Sequence, residues 1–524
     1  MLRRQLHDKL LSREEIFGEP VGAADTFRPG LRANAHVTFV HTTPGRLRRG
    51  IGLFVAATMV SAAVPFSAAA DPLSDTFQPD VFRTESALHQ RTPGLADPQG
   101  RDCALPSAPL TLPAAVELAL CRNPSTRAAW AAAHQQAAAL GSAQSAWLPN
   151  ISATGAEQRA YGQHIDVTGA IDTSPQNTRD AALNLSWTLY DFGARDGKIT
   201  SARHLLDAAA ATASRVSQQT VLSVVQSYYG VVAADAALLA AQTTEAAAAR
   251  SLEVARALRG GGVATLADVL QAETAYDQAV LARVQADYSA KSAHGTLAVV
   301  IGSPADQPLK LEAEPVPAQV PALTARMPDL MAEAVRQRPD LAAAQAQRDS
   351  AAADVGVARA AGWPSITIGA GRDLVNTTGL PHQNYSLVGV NVTVPIFTGF
   401  NVGYGVRQSQ AVLEGREASA EQVRLTVSLD VWNAYYALDS ANQQLGQTAT
   451  LIKTAEDNQQ VAVGRYQSGV GTIIDLLTAQ TAAANARILR INAELGWQVA
   501  RAQLALALGR LSGTEPLPVG AALP

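Results

Sequence analysis

The sequence predicts a mostly α-helical chain that carries a transmembrane β-barrel, built as two copies of one helix–hairpin–helix–helix unit. Three observations predict it. Equivalent residues recur at a nearly constant spacing, long segments run without proline, and short segments alternate apolar with small polar residues downstream of an export leader.

Composition already narrows the architecture. Of 524 residues 47% are hydrophobic, but only 5% are aromatic and 16% charged, and Ala carries much of the apolar fraction. Alanine favours helix and buries little area, so long helices packed closely together suit this chain better than several large cores. With 41 basic against 45 acidic residues there is no basic stripe, and a nucleic-acid partner is excluded.

Residues 1–70 read as a leader with a Sec signal peptide. Arg46, Arg48 and Arg49 form its basic region, Ile51 to Val64 its apolar run, and Ala68, Ala69 and Ala70 a small-residue cleavage site before Asp71. The apolar run is short of the roughly 20 residues that span a bilayer, and Pro65 ends it. Residues 1–45 exceed an ordinary basic region, which puts Met1 in question as the start. Removing the leader takes away 9 basic and 5 acidic residues and leaves a net charge of −8. Beyond it no stretch reads as a membrane-spanning apolar helix, so the exported chain is periplasmic, secreted or a β-barrel. Residues 71–110 form an N-terminal extension. Cys103 there and Cys121 beyond it enclose 17 residues, a spacing compatible with one disulfide in an oxidising compartment. No Cys stands directly after the cleavage site, where the residue is Asp71, so a lipid-anchored N-terminus is not indicated.

The duplication is visible residue by residue. Tyr228 and Tyr229 match Tyr435 and Tyr436, Gly262 matches Gly469, Thr265 matches Thr472, Asp268 matches Asp475 and Gly302 matches Gly509, each 207 residues apart. Earlier in each copy the spacing is 215: Pro124 with Pro339, Pro149 with Pro364, Ile151 with Ile366. The repeats are therefore 111–302 and 326–511. Pro304, Pro308, Pro315, Pro317 and Pro321 mark the connection 303–325, and Pro516, Pro518 and Pro524 mark the tail 512–524. Both can pack as a collar.

The eight-residue change in spacing falls between Ile151 and about Leu183, inside a hairpin. Leu183, Leu185, Trp187 and Leu189 alternate with polar residues, as do Val388, Val390, Val392 and Val394 in the second copy. Shorter alternations follow Pro149 and Pro364. The connections, about 157–181 and 372–386, are polar and read as exposed loops. Such strands can be half-buried in a soluble sandwich. The leader, the lack of other strands to pack against and the strand-end tryptophans Trp147, Trp187 and Trp363 favour a barrel with those eight apolar residues facing lipid. Four strands cannot close a barrel, so the chain should oligomerise.

The remainder is helical. Ala194 to Arg259 contains no Pro, and at about 1.5 Å per residue it spans roughly 100 Å. Gly260, Gly261 and Gly262 end it, and helices are expected over Thr265 to Ile301 and Leu112 to Ala146. The second copy repeats them over 327–361, 401–466 and 472–508. Small side chains permit close helix approach, while abundant Gln, Ser, Thr and Asn suit a wall wetted on two sides.

In this order, twice, these features resemble the TolC family of outer-membrane export ducts over about residues 111–511. The carriers are the strand-end segments Leu189-Tyr190-Asp191-Phe192-Gly193 and Ile396-Phe397-Thr398-Gly399, and the helix turns Gly262-Val263-Ala264-Thr265-Leu266-Ala267-Asp268-Val269 and Gly469-Val470-Gly471-Thr472-Ile473-Ile474-Asp475-Leu476. The resemblance implies a homotrimer with a 12-stranded barrel on a long periplasmic helical tunnel. It also implies that Gly262, Val263, Ala264 and Thr265, with Gly469, Val470, Gly471 and Thr472, form tips that dock a periplasmic adaptor. Asp475, Tyr466, Thr478 and Asp268 fall at the family's aperture. Gly471 and Thr478 depart from the family's best-known member, which has Arg and Asp there. Three Asp475 carboxylates near an axis would favour cations or basic substrates. Equally, Asp268 and Asp475 sit where negative charge complements a helix N-terminus after the N-caps Thr265 and Thr472.

No phosphate-binding loop, zinc-protease motif or metal-ligand cluster is present, so no enzyme, cofactor or metal is expected. The tyrosine pairs read as helix packing. Three functions remain: a type I secretion duct working with an ABC transporter and adaptor, the same duct serving small-molecule efflux with a proton-driven pump, or a periplasmic coiled-coil adaptor. The leader and the missing lipidation Cys resemble the type I branch, including exporters of RTX adenylate-cyclase toxin, more than the lipidated efflux branch.

Overall fold

The computed structural model describes residues 80–92, 103–105, 109–165, 168–173, 175–312 and 326–511. The leader, its cleavage site, residues 313–325 of the connection and the tail 512–524 lie outside the described residues. Helix α1 (Thr84–Arg91) precedes the first repeat. That repeat runs α2 (Leu112–Arg122), α3 (Pro124–Ser145), β1 (Asn150–Ala160), the two-residue strands β2 (His164–Ile165) and β3 (Ile171–Asp172), β4 (Gln176–Tyr190), α4 (Ala194–Gly260) and α5 (Leu266–Val300). The second runs α6 (Met327–Gln337), α7 (Pro339–Ala360), β5 (Ser365–Thr377), β6 (Gln383–Thr393), α8 (Asn401–Gln467) and α9 (Ile473–Ala507).

The expected helices over 112–146 and 327–361 are each broken in two, at the prolines that mark the repeat. A residue before proline is pushed out of the helical region, and Asn123 (ψ 128°) and Arg338 (ψ 120°) are both extended. Pro124 and Pro339 then open α3 and α7 at a position where a missing N–H costs nothing. The Asn123 side chain completes the first start by accepting from the Ser125 amide at 2.8 Å.

Each break is clasped by a glycine from the end of the same repeat. Gly302 and Gly509 both have φ +77°, and a Cβ on either would lie 2.8 Å from the backbone of Arg122 or Gln337. Only glycine tolerates both the conformation and the approach.

Strands β1, β4, β5 and β6 form one antiparallel sheet in the order β1-β4-β5-β6. The polar residues assigned to loops extend these strands instead. Arg179 in β4 pairs with Glu157 in β1 at 2.9 Å, and Thr178 meets Thr377 hydroxyl to hydroxyl at 3.2 Å. Polar residues remain in a ladder when their neighbours across the sheet satisfy them. The duplication is also written in the register. Ala153 faces Leu183, and Ile368, 215 residues after Ala153, faces Val390, 207 residues after Leu183. The two hairpins are superposable stave for stave.

From strand to helix each repeat makes the same turn. Phe192 (φ 50°) and Gly193 (φ 91°) are left-handed in succession, as are Gly399 (φ 61°) and Phe400 (φ 64°) at a spacing of 207. Below it the helices pack in long seams. Alanines such as Ala133, Ala137, Ala255, Ala272 and Ala483 are fully or almost fully buried in those seams. Larger side chains gather in separate clusters: Leu110, Val116, Val224 and Tyr228 around α2, α4 and α5, and Leu330, Val427, Val431 and Trp497 around α6, α8 and α9. Of the tyrosine pairs, Tyr228 and Tyr229 are buried, whereas Tyr436 is exposed beside Trp432. Among the described residues α4 is long and apolar enough by composition to cross a membrane, although no such segment is expected from the sequence. It is a 67-residue helix that packs against α3, α5, α7 and α9.

The N-terminal extension is tied to the first cluster. Cys103 and Cys121 form a disulfide with Cα atoms 6.4 Å apart. Leu110 pairs in parallel with Leu311 of the connection, and the Tyr228 hydroxyl donates to the Leu110 carbonyl at 3.1 Å. Helix α1 caps a third cluster through Leu88, packed with Trp130, Leu140 and Leu206.

Candidate functional site: the helical tips and the open sheet

The tips are the turns between α4 and α5 and between α8 and α9. Gly262 (φ 77°) and Gly469 (φ 74°) reverse the chain, and the amides of Val263 and Val470 return to the carbonyls of Leu258 and Arg465 at 2.9 and 3.0 Å. Thr265 and Thr472 then cap the next helix in reciprocal boxes with Asp268 and Asp475. The Asp268 carboxylate accepts from the Thr265 amide at 2.7 Å and the Asp475 carboxylate from the Thr472 amide at 3.4 Å. Helix capping is therefore a role both aspartates hold in this structure.

Asp475 and Thr478 are exposed one helical turn apart, so one face of α9 presents both. The Asp475 carboxyl is held below its ordinary range by hydrogen bonds from Thr472 and by the positive charge of Arg465. Arg465 was not anticipated from the sequence. It places a cation beside Asp475 although Gly471 supplies none, and a Cβ at Gly471 would lie only 3.1 Å from the Arg465 side chain.

Tyr466, grouped with the aperture by resemblance, lies beneath the tip surface and is 4% exposed. It packs with Leu252, Val269, Ile473 and Leu476 in a cluster that joins the two turns. Its hydroxyl is buried with no hydrogen-bond partner among the described residues, and burial together with the negative charge of Asp268 pushes its ionisation upward. The structure thus brings Tyr466 and Asp268 together across the two tips. Val263, Val470, Leu266 and Ile474 are exposed around them, an apolar rim on an otherwise polar end.

At the opposite end the sheet has no core on either face. Leu183, Trp187 and Leu189 are exposed and Leu185 half-exposed, while Val388, Val390 and Val392 are 77%, 62% and 60% exposed. Val394 is exposed one residue past β6. Leu183 and Leu185 face Ala153 and Ile151, and Val390 and Val392 face Ile368 and Ile366, so one continuous face is apolar. The outer strands β1 and β6 each leave one edge unpaired.

Sheet and helices are locked together by Arg195, which the sequence reading missed. It is buried at the start of α4, stacks 4.0 Å over Trp147, pairs with Asp191 at 2.9 Å and donates to the carbonyls of Thr188 and Leu189. Its signal was the Asp191–Arg195 spacing of one helical turn. Among the described residues no group of His, Cys, Asp and Glu can hold a metal.

Comparison with known proteins gives a consistent family. The model of the outer membrane efflux protein family matches residues 115–303 and 330–510. Protein CyaE of Bordetella pertussis is 29% identical over 379 residues, 71% of this chain and 78% of that protein. The pyoverdine export outer membrane protein OpmQ of Pseudomonas aeruginosa is 28% identical over 367 residues, 67% of this chain and 76% of its own length. The crystal structure of the Campylobacter jejuni CmeC outer membrane channel superposes with a TM-score of 0.66 at 19% identity, covering 78% of this chain and 87% of that one.

Proposed function

The chain belongs to the outer membrane efflux protein family, and we propose that three copies of it close into the exit duct of a tripartite exporter that serves small-molecule efflux. The protein is a non-enzymatic transport channel of the outer membrane with a large periplasmic helical portion. Cargo would pass from an inner-membrane transporter through a periplasmic adaptor docked on the tips around Val263 and Val470.

The observation that carries this reading is the pair of open edges on a duplicated sheet. Within the chain, β4 of the first repeat pairs with β5 of the second, Ser186 facing Gly369. Because the two hairpins share one register, β6 can pair with β1 of the next copy in the same way. Adding 207 to Ser186 and subtracting 215 from Gly369 places Thr393 opposite Thr154. Val392 then faces Gly155 and Val390 faces Glu157, which keeps the apolar residues of β6 on the same face as Ile151 and Ala153 of β1. A slip of one residue would turn every side chain to the other face.

Efflux has the better support among cargoes. The family is described by efflux, and OpmQ by export of pyoverdine. A type I protein-secretion duct, suggested by the leader and by the lack of a lipidation Cys, is the second reading. Deleting the gene tests both: efflux predicts that a dye or antibiotic accumulates in the cell with the culture supernatant's proteins unchanged. Loss of one secreted polypeptide with unchanged dye retention would reverse the order.

A further inference from the structure

The apolar face of the sheet gives way to charge toward the end of the strands away from the helices. Along β1 that face reads Ile151, Ala153, Gly155, then Glu157 and Arg159; along β4, from the helical end, Leu189, Trp187, Leu185, Leu183, Ala181, then Arg179. Along β5 it reads Ile366, Ile368, Ala370, then Arg372. Arg179 stands directly opposite Glu157, and Arg372, 215 residues after Glu157, is its counterpart in the second hairpin. Arg159 is one two-residue step further out, about 7 Å. Each copy therefore sets three arginines and one glutamate in a belt on the outer half of this face. Arg372 stands opposite Leu183, four residues nearer the helices than Arg179, and no charged residue lies on this face between the belt and the helices.

Neighbouring contacts leave this belt cationic. Arg179 donates from Nε and Nη2 to one oxygen of Glu157 at 2.9 Å, with both side chains mostly exposed. Arg159 lies 5.3 Å from the centre of the exposed Tyr161 ring. Arg159 and Arg372 have no carboxylate partner among the described residues. The alternating residues Asp180 and Asp373 point to the opposite face of the sheet, where they cannot neutralise it.

We propose that Arg159, Arg179 and Arg372 bind the phosphate groups of lipid A in the outer leaflet. Arg159 and Arg179 lie near the ends of β1 and β4 away from the helices, with Arg372 further in on β5, hence toward the outer surface of a membrane whose inner side holds the helices. Guanidinium groups on the lipid face are costly at the bilayer midplane and nearly free at the headgroups. Their fork geometry suits phosphate oxygens, and adjacent arginines on a rigid sheet can hold several at once. This inference rests on the outer-membrane barrel reading.

The test reconstitutes the full-length protein in two vesicle preparations of phosphatidylethanolamine, one with bisphosphorylated lipid A and one with lipid A stripped of its phosphates. The expected result is a higher heat-dissociation midpoint of the trimer in the phosphorylated vesicles. Arg159→Gln, Arg179→Gln and Arg372→Gln combined with Glu157→Gln should abolish that difference, while Asp180→Asn with Asp373→Asn keeps it. Equal midpoints for the unaltered protein in the two vesicles, or a full difference in the arginine variant, would overturn the proposal. So would inorganic phosphate in detergent reproducing the shift. If the arginine variant does not insert, the comparison of the two vesicles with the unaltered protein still decides. Failure to fractionate with outer membranes would instead count against the barrel reading itself.

Discussion

The Arg195 guanidinium lies 4.0 Å over the Trp147 ring while its Nε binds Asp191, so one buried cation joins the end of α3, the end of β4 and the start of α4. Arg195 and Asp191 side chains are only 7% and 15% exposed. Removing one partner of a buried pair strands the other, at a cost of about 3–5 kcal/mol. Arg195→Ala should therefore lower the midpoint for heat dissociation well beyond the effect of an exposed pair such as Arg424→Ala with Glu421. Equal shifts for the two variants would deny Arg195 this role.

Gly302 and Gly509 predict a matched pair of defects. A left-handed φ alone costs a non-glycine residue about 1–3 kcal/mol, and here the added methyl also meets backbone. Gly302→Ala and Gly509→Ala should each reduce thermal stability, by similar amounts. Gly446→Ala, in open space on α8, should not. Circular dichroism melts of the three variants check this.

The second tip should respond to acid. Hydrogen bonds from Thr472 and the charge of Arg465 hold the Asp475 carboxyl below the ordinary carboxylate range. A folded-state value below the unfolded one means that the stabilisation is complete above the ordinary range and is lost as pH falls through the depressed value. Hydrogen exchange at residues 472–476 should thus stay slow down to the ordinary carboxylate range and quicken below it. Asp475→Asn should exchange faster at neutral pH and lose the acid step. If Asp475 also lines the aperture, the same variant should weaken cation preference in planar-bilayer conductance.

Tyr466 separates packing from latching. Its hydroxyl has no partner among the described residues, so Tyr466→Phe removes a buried unsatisfied group and should be neutral or stabilising, whereas Tyr466→Ala should cost about 3 kcal/mol or more. Conductance of the Phe variant should match the unaltered protein. A more open Phe channel would show that the hydroxyl itself holds the tip.

What the sequence made legible follows the range of the interactions. The duplication, the long helices, the glycine tips and the alternating strands are local patterns, and Thr265 and Asp268 or Thr472 and Asp475 announce their capping boxes at three-residue spacing. Pro124 and Pro339 mark the repeat in the sequence, yet the apolar pattern runs through them as if one helix continued, although the residue before each is forced to be extended. The strands run further than their apolar residues because pairs such as Glu157 and Arg179 sustain the ladder beyond them. Arg465 beside Asp475 and Tyr466 against Asp268 depend on how helices fold back on each other, which spacing in the chain does not encode.

Closure requires that the open edges β1 and β6 of successive copies pair as β4 and β5 do within one chain. Thr154→Cys with Thr393→Cys, oxidised in intact outer membranes, tests it directly. Disulfide-linked dimers and trimers are expected on a non-reducing gel, with Ala153→Cys and Thr393→Cys linking poorly because their side chains lie on opposite faces. Monomers throughout, or preferential linking of the Ala153 pair, would contradict it.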